Sequence, residues 1–206
     1  MSVTHTKLIL ASASPRRREL LALTGVPFEI VVSPAQEPDP DVNEHPAAYA
    51  ARMARLKAAA VAATRPDAVV LGADSVVAVG ETILGKPTDA ADALRMLRLL
   101  SGRSHQVVTG CAIFAPGREP EIFTVATDVT MGVVSEERLA AYVATGEPMD
   151  KAGAYAIQGG AAAFVTTICG SYTNVVGLPL AEVVEILGTW GVIVPAKREQ
   201  SLRTAS

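Results

Sequence analysis

The 206-residue chain has 21 acidic and 18 basic residues, and its formal net charge of −3 excludes the basic field with which proteins bind duplex nucleic acid. Half of the residues are hydrophobic, so the chain can bury a sizeable core, while the apolar run LILA is too short for a signal peptide or a membrane span. We therefore expect a cytoplasmic protein that has neither nucleic acid nor a membrane as a partner.

The first half of the chain predicts a βαβ unit, a long helix and a hairpin. KLILAS and FEIVVS are typical of strands, and the helix between them spans about residues 15–24 and is closed by Gly25. After a loop rich in Pro and Asp, an Ala-rich helix is expected over 47–63. AVVLGADSVVAVGETILG then predicts a buried strand that turns back at Gly80 and Glu81.

The second half predicts a helix near 88–101 capped by Thr88, and two long strands, HQVVTGCAIFA and EIFTVATDVTMGVV, joined by PGRE. A helix from 136, a strand at AAFVTTI and a last helix from about Pro179 follow. Because helices interleave with both crossover and hairpin connections, we predict one domain with a three-layer α/β fold and a mixed sheet. The tail AKREQSLRTAS is expected to be disordered.

The stretch ASASPRRREL puts cations at the wrong end of a helix. Ser14 is placed to cap the helix and Pro15 to begin it, yet Arg16, Arg17 and Arg18 follow at the end where the helix dipole is positive. The helix that starts VSEERLAAYV has glutamates there instead. We interpret Arg16 and Arg17 as an anion site and Arg18 as a surface residue; pairing of the arginines with distant carboxylates is the alternative.

Four other charged residues could complete such a site. Asp74 follows Gly and Ala in an apolar strand, where a carboxylate is costly to bury unless it pairs with a cation or a metal. Lys86 comes directly after the hairpin, Lys57 lies on the Ala-rich helix, and Glu37 lies in the loop PAQEPDP. Taken singly, each is equally compatible with an ordinary solvated position.

Three more familiar kinds of site are not supported. GETILGKP matches the P-loop pattern until Pro87, which stands where that motif needs a Ser or Thr for magnesium, so we predict a hairpin ending in a lysine. Cys111 and Cys169 lack zinc-site spacing and are expected to be buried free thiols. The three histidines are scattered and no G-x-S-x-G occurs, which argues against a nucleophilic triad.

Six separated blocks together resemble the Maf family of nucleotide pyrophosphatases over about residues 7–190: LILASASPRRREL, LGADSVV, LGKP, LSGRSHQVVTG, DKAGAYAIQGGAAAFV and VVGLPL. DKAGAYAIQG is similar to the branch that acts on dTTP and UTP. The resemblance implies a fold related to inosine triphosphatases, with the nucleotide in a cleft between two lobes. It also implies hydrolysis of a nucleoside triphosphate to the monophosphate and pyrophosphate with a divalent cation, Mg²⁺ or Mn²⁺.

The resemblance places nine residues in the site: Ser12, Arg16, Arg17, Glu37, Lys57, Asp74, Ser75, Lys86 and Gln158. In this interpretation the arginines and lysines hold the triphosphate, Asp74 orients or deprotonates the attacking water, and Asp74 and Glu37 bind the metal.

The side-chain amide of Gln158 can match the O4 and N3–H edge of thymine or uracil, or of a modified pyrimidine, since it both donates and accepts. The alternative for Gln158 is a strand amide satisfied by neighbouring backbone. Two positions depart from the family pattern: Gln36 stands where members often have a second acidic residue, and Ser75 where threonine is common.

A second function from a different class has to be weighed. The chain could be a nucleotide-binding regulator of cell division or septum formation, since binding alone needs the arginines but not the carboxylates. Asp74 and Glu37 favour the hydrolase, because two carboxylates facing a triphosphate are costly unless a metal joins them. A homodimer is compatible with the sequence.

Overall fold

The computed structural model describes residues 7–193, which form a seven-stranded sheet and six α-helices. The strands are β1 (Leu8–Leu10), β2 (Phe28–Ile30), β3 (Val69–Val79), β4 (Thr82–Leu84), β5 (Ser104–Phe114), β6 (Glu121–Met131) and β7 (Val165–Cys169). The helices are α1 (Pro15–Ala22), α2 (Pro46–Ala62), α3 (Ala90–Leu100), α4 (Glu136–Ala144), α5 (Tyr172–Val176) and α6 (Leu180–Thr189), with short 3-10 helices at Glu147–Asp150, Ala152–Ala154 and Gly160–Phe164. The tail for which disorder was predicted lies outside the described residues.

The strands form one mixed sheet in the order β2-β1-β3-β5-β6-β7, with β4 paired to β3. β1 runs parallel to both β2 and β3, and every later pairing is antiparallel. The predicted βαβ start, the two hairpins and the mixed sheet are therefore confirmed. Among residues 7–193, none of the helices combines the length and the apolarity that a bilayer crossing needs.

Helices cover both faces of the sheet. On one face α2 packs its alanines against alternate residues of β1 and β3, such as Ile9 and Val70. On the opposite face α1 and α6 cover the neighbouring residues, such as Leu10 and Leu71. This alternation is what a strand with a side-chain period of two gives when both of its faces are buried, and it confirms the three layers.

A second core lies further along the same strands. α3 and α4 pack on Val77 of β3 and Val107 of β5, together with the three 3-10 helices. The face that carries α1 and α6 therefore holds two separate apolar clusters, and between them β3 and β5 carry the polar side chains of Ser75 and Thr109. Ser75 lines a cleft between the two lobes that these clusters form, and Thr109 is fully buried behind it.

The position of α2 is set by small residues in the strands beneath it. A Cβ added to Gly110 of β5 would lie 2.3 Å from the backbone of Ala50 in α2, which no real side chain tolerates. Gly110 is the register partner of Asp74 on β3. A Cβ added to Gly72 of β3 would likewise lie 2.7 Å from the backbone oxygen of Ala54, so the helix that carries Lys57 is held in direct contact with the strand that carries Asp74.

Helix starts follow the predicted caps at two of three positions. Ser14 accepts a hydrogen bond from Arg17 N and Ser135 accepts one from Arg138 N, as predicted. The cap of α3 is Asp89, which accepts from the backbone N–H of Asp92, and the prediction of Thr88 was wrong by one residue. Both residue types cap helices well, so local sequence does not separate them.

Two further details differ from prediction. The strand expected at AAFVTTI begins only at Val165, because Gly160–Phe164 forms a 3-10 helix. Cys111 is a buried free thiol as expected, but Cys169 is exposed, because β7 is the last strand of the sheet.

Candidate active site

The site forms where β3 has no neighbouring strand, in the described part of the chain, along part of one edge. Along one edge, β5 pairs with β3 from Val70 to Ala78. On the other edge β1 pairs only as far as Leu71, and β4 pairs only from Val77 onward. Among the described residues no strand pairs with this edge of β3 between those two points, so residues 72–76 border an opening in the sheet. Asp74 and Ser75 lie in this gap.

The gap opens into a cleft of about 990 Å³, within the range of small-molecule sites. The structure brings all nine residues of the predicted site to the walls of this cleft: Ser12, Arg16, Arg17, Glu37, Lys57, Asp74, Ser75, Lys86 and Gln158. They come from both lobes and from the strands between them. The cleft is large enough for a nucleoside triphosphate and is polar on the side of α1.

Lys57 joins the two carboxylates of the site. Its Nζ lies 2.7 Å from Oδ1 of Asp74 and 2.9 Å from Oε1 of Glu37. The side chains of Lys57 and Asp74 are each only 13% exposed, whereas Glu37 is half exposed. The costly carboxylate in the apolar strand is therefore paired, and its partner is a lysine from α2.

The same two carboxylates fit a divalent cation. Both contact one ammonium group, so their oxygens lie close together, and oxygen ligands are the ones that Mg²⁺ and Mn²⁺ prefer. Within residues 7–193 no group of three or more His, Cys, Asp and Glu side chains forms a complete metal cage. Mg²⁺ commonly binds through one or two carboxylates together with substrate phosphates, and the residues present are compatible with that arrangement.

Arg17 is held by the protein through three hydrogen bonds. Its Nε donates to the carbonyl of Gly177 at 2.8 Å, its Nη2 to Oγ of Ser75 at 3.0 Å, and its Nη1 to Oγ of Ser12 at 3.4 Å. Burial is the main cause that lowers the pKa of Arg17 from its usual 12.5, and the charge of Asp74 opposes that shift. A guanidinium has five N–H groups, so two remain for a ligand.

Arg16 differs from its neighbour. Within residues 7–193 the side chain of Arg17 makes three hydrogen bonds to the protein, whereas the side chain of Arg16 makes none. Arg16 lines the cleft half-buried at the first turn of α1, where the backbone N–H groups and the helix dipole also favour an anion. Arg18 is exposed, as predicted.

A buried polar network continues from Ser75 away from the cleft. Oγ of Ser75 lies 2.8 Å from Oγ1 of Thr109, which donates to the carbonyl of Asn174 at 3.2 Å. The fully buried amide of Asn174 donates at 2.9 Å both to the carbonyl of Val107 and to Oγ1 of Thr127. The network fixes α5, and through α5 the carbonyl of Gly177 that holds Arg17.

Lys86 and Gln158 stand exposed on the opposite wall. Lys86 follows β4 as predicted, and the carbonyl of its neighbour Gly85 accepts a hydrogen bond from the N–H of Gly153 at 3.0 Å. Gln158 lies in a turn between two 3-10 helices, not in a strand. Within the described part of the chain its side chain has no protein hydrogen-bond partner, so the alternative of a satisfied strand amide was wrong.

Sequence reasoning missed several residues of the cleft wall. Asp150 and Lys151 form an ion pair there, and Tyr49, Asp39 and Tyr155 also line the cleft. The first two open the block DKAGAYAIQG, so adjacent opposite charges at the start of a recognised block were an available signal. Nothing local indicated that Tyr49 or Asp39 would lie near Asp74.

The chain has many relatives. A dTTP/UTP pyrophosphatase of Nitratidesulfovibrio vulgaris is 52% identical over 186 residues, covering 90% of this chain and 89% of that protein. A dTTP/UTP pyrophosphatase of Geobacter sulfurreducens is 53% identical over 188 residues, covering 91% of this chain and 98% of that protein. Among solved structures, a HAM1 protein from Coxiella burnetii gives a TM-score of 0.46 at 13% identity and covers 89% of this chain and 99% of that chain.

The family match covers the whole of the cleft. The description Maf-like protein applies to residues 7–190, which include all nine predicted site residues and both lobes. With relatives about half identical over nine-tenths of its length, the chain belongs to the Maf family.

Proposed function

We propose that this protein hydrolyses dTTP and UTP to the monophosphate and pyrophosphate with the help of Mg²⁺ or Mn²⁺. The observation that carries the proposal is the position of Asp74, a nearly buried carboxylate at the open edge of β3 in a cleft that also presents arginines and lysines. Family membership and the names of relatives about 50% identical to this chain support the choice of substrates.

The triphosphate is expected to lie along the arginine wall. A nucleoside triphosphate brings close to four negative charges, and Arg16 offers a guanidinium whose donors are not used by the protein in the described residues. Arg17 contributes its two remaining N–H groups, and the first turn of α1 adds backbone donors. Lys86 on the opposite wall would hold further phosphate oxygens as a point charge.

Asp74 is assigned to the attacking water. In this reaction water adds to the α-phosphorus, the bond to the bridging oxygen breaks, and pyrophosphate leaves with that oxygen. Asp74 would orient the water and receive its proton, while Lys57 at 2.7 Å holds the carboxylate in place. Asp74 and Glu37 would hold a divalent cation, which supplies charge neutralisation at the phosphates.

A nucleotide-binding regulator of cell division is not favoured. Such a protein would use the arginines, but it would gain nothing from two carboxylates that face the phosphate charges. With nucleotides as substrates we expect the protein in the cytoplasm, without nucleic acid or a membrane as a partner. Gel filtration would show whether it forms a homodimer.

The experiment is a pyrophosphate-release screen of the purified protein against the common nucleoside triphosphates. We expect release from dTTP and UTP in the presence of Mg²⁺ or Mn²⁺ and none after EDTA. Phosphate detection without added pyrophosphatase serves as the control for the bond that is cleaved. Release of orthophosphate with a diphosphate product would contradict attack at the α-phosphorus, and nucleotide binding without turnover would favour the regulator.

A further inference from the structure

The turn that carries Gln158 is attached by two side chains that do not line the cleft, Tyr142 of α4 and Glu147 of the 3-10 helix Glu147–Asp150. The hydroxyl of Tyr142 donates to Oε1 of Glu147 at 2.8 Å and accepts from the N–H of Ala156 at 3.2 Å. Both carboxylate oxygens of Glu147 accept from the N–H of Gly160 at 3.1 Å. The turn is thus tied down two residues before Gln158 and two residues after it.

The carboxylate of Glu147 also packs directly on the turn between those two bonds. A Cβ added to Gly159 would lie 2.1 Å from Oε1 of Glu147. The residue next to Gln158 therefore has to be a glycine while Glu147 holds its present position. Glu147 thus accepts from the N–H of Gly160 and occupies the space that a side chain at position 159 would need.

Tyr142 is fixed independently of these bonds. It is 5% exposed, and its ring meets the ring of Phe164 edge to face, with centroids 5.4 Å apart. Burial first, and the hydrogen bond to Glu147 second, raise the pKa of Tyr142 well above its usual 10, so the hydroxyl stays protonated and able to donate. The side chain that makes the tie to α4 is therefore part of the second core.

Gln158 has no comparable support of its own. It is exposed on the cleft wall, and in the described residues its amide has no protein partner, so its place relative to a base is set by the backbone of the turn. Hydrogen-bond readout of a base edge tolerates little displacement, since errors of about 1 Å can cost a hundredfold in rate. The supports of the turn are therefore in a position to control base selectivity.

We propose that Tyr142 and Glu147 are positioning residues for base selectivity, which they secure by holding the Gln158 turn against α4 and the 3-10 helix that follows it. The inference rests on the proposed function, because it presumes that Gln158 reads thymine and uracil. Neither side chain is catalytic, and neither touches the substrate. Their effect is on how well the enzyme distinguishes UTP and dTTP from CTP.

The test uses conservative variants of the full-length protein. Y142F removes only the hydroxyl and keeps the ring against Phe164, whereas E147A removes the carboxylate. E147Q keeps one oxygen that can accept from Gly160 and serves as the rescue variant. E137A makes the same change of charge on the exposed side of α4 and serves as the control. For each protein, kcat and KM for UTP, dTTP and CTP are measured with Mg²⁺, together with amide exchange at Ala156 and Gly160.

We expect Y142F and E147A to lower the ratio of kcat/KM for UTP to that for CTP by about tenfold or more, mainly through KM for UTP. CTP turnover should stay near the wild-type value, and exchange at Gly160 should accelerate. E147Q should keep most of the ratio and E137A all of it. A loss shared equally by UTP and CTP would indicate a merely structural role and overturn the inference.

The inference and the proposed function fail in different ways. If the wild-type protein prefers UTP over CTP, and Y142F and E147A keep that preference although exchange at Gly160 is faster, the inference alone is overturned. Unchanged exchange in both variants would overturn it as well. If the wild-type protein shows no preference for UTP over CTP, the proposed base selectivity fails first and takes the inference with it.

Discussion

Arg17 and Ser75 are joined by a 3.0 Å hydrogen bond between Nη2 and Oγ, which links the first turn of α1 to the strand that carries Asp74. Because Arg17 also holds the carbonyl of Gly177, it is part of the framework of the cleft as well as a cation in it. Arg16, one residue earlier, has no such bonds in the described residues. The two arginines should therefore behave differently when they are removed.

We predict that Arg17→Ala lowers the free energy of unfolding by about 1–3 kcal/mol, since it breaks hydrogen bonds to partly buried partners. Arg16→Ala should stay within about 0.5 kcal/mol of the wild type, because the helix dipole opposes the charge that it removes. Both variants should raise KM for UTP, because each loses a cation that is expected to hold the triphosphate. Urea denaturation and KM for UTP measure the two effects, with Arg18→Ala as the exposed control, and equal stability of the two variants would contradict the assignment.

Asp74→Asn should lower kcat by at least about a hundredfold, because the amide can neither receive a proton nor serve as a strong ligand for a divalent cation. The fold should persist, since the side chain keeps its size and can still contact Lys57. Pyrophosphate release under saturating UTP measures the rate, and circular dichroism checks the fold. Asp67→Asn, at an exposed position outside the cleft, is the control. A near-normal rate would remove Asp74 from the mechanism.

Gln158→Ala should reduce kcat/KM for dTTP and UTP and narrow their advantage over CTP, with no change in the requirement for Mg²⁺. Cytosine reverses the donor and acceptor at the edge that Gln158 is expected to read, so the wild-type site would leave groups unpaired. Gln106→Ala, whose amide bonds to Asp128 on the surface of the sheet, is a matched control. If the variant kept the full preference, another group would have to read the base.

His105 makes stability depend on pH. It is 3% exposed and its Nε2 lies 2.7 Å from the hydroxyl of Tyr155, and burial lowers the pKa of His105 from its usual 6.5 to about 4. As pH falls from 6.5 to about 4, His105 takes up a proton in the unfolded chain but stays neutral in the folded chain. The free energy of unfolding should therefore fall, by about 3 kcal/mol at most across the window.

His105→Gln should flatten that dependence, since glutamine does not titrate but can still bond to Tyr155. Urea denaturation of both proteins at several pH values across the window measures the difference in slope. The carboxylates titrate alike in the two proteins and cancel in the comparison. Identical slopes would show that His105 binds its proton equally in the folded and unfolded states, and would contradict the lowered pKa.

Much of the fold could be predicted because its signals are local. Ser14 and Ser135 mark helix starts by their own side chains, and the turn at Gly80 and Glu81 separates two apolar strands. The exposure of Cys169 could not be predicted in this way, because it depends on β7 being the last strand of the sheet. Strand order depends on contacts between distant segments, so no single segment of sequence determines it.

The site was predictable as a set of residues but not as an arrangement. The family blocks named the residues that line the cleft, yet they did not show that Lys57 would bridge Asp74 and Glu37. The bond from Arg17 to the carbonyl of Gly177 joins residues 160 positions apart, and only the folded topology creates it. The tie between Tyr142 and the Gln158 turn was missed for the same reason.

The break in pairing along β3 also separates the strand that leads to one wall of the cleft from the strand that leads to the other. β5 clamps β3 continuously from Val70 to Ala78 on one edge, so the backbone that carries Asp74 is anchored from behind. The arginines follow β1 and Lys86 follows β4, and these two strands meet β3 on either side of the break without touching its middle. The position of Asp74 therefore depends on the pairing with β5 and on neither of the two strands that lead to the walls.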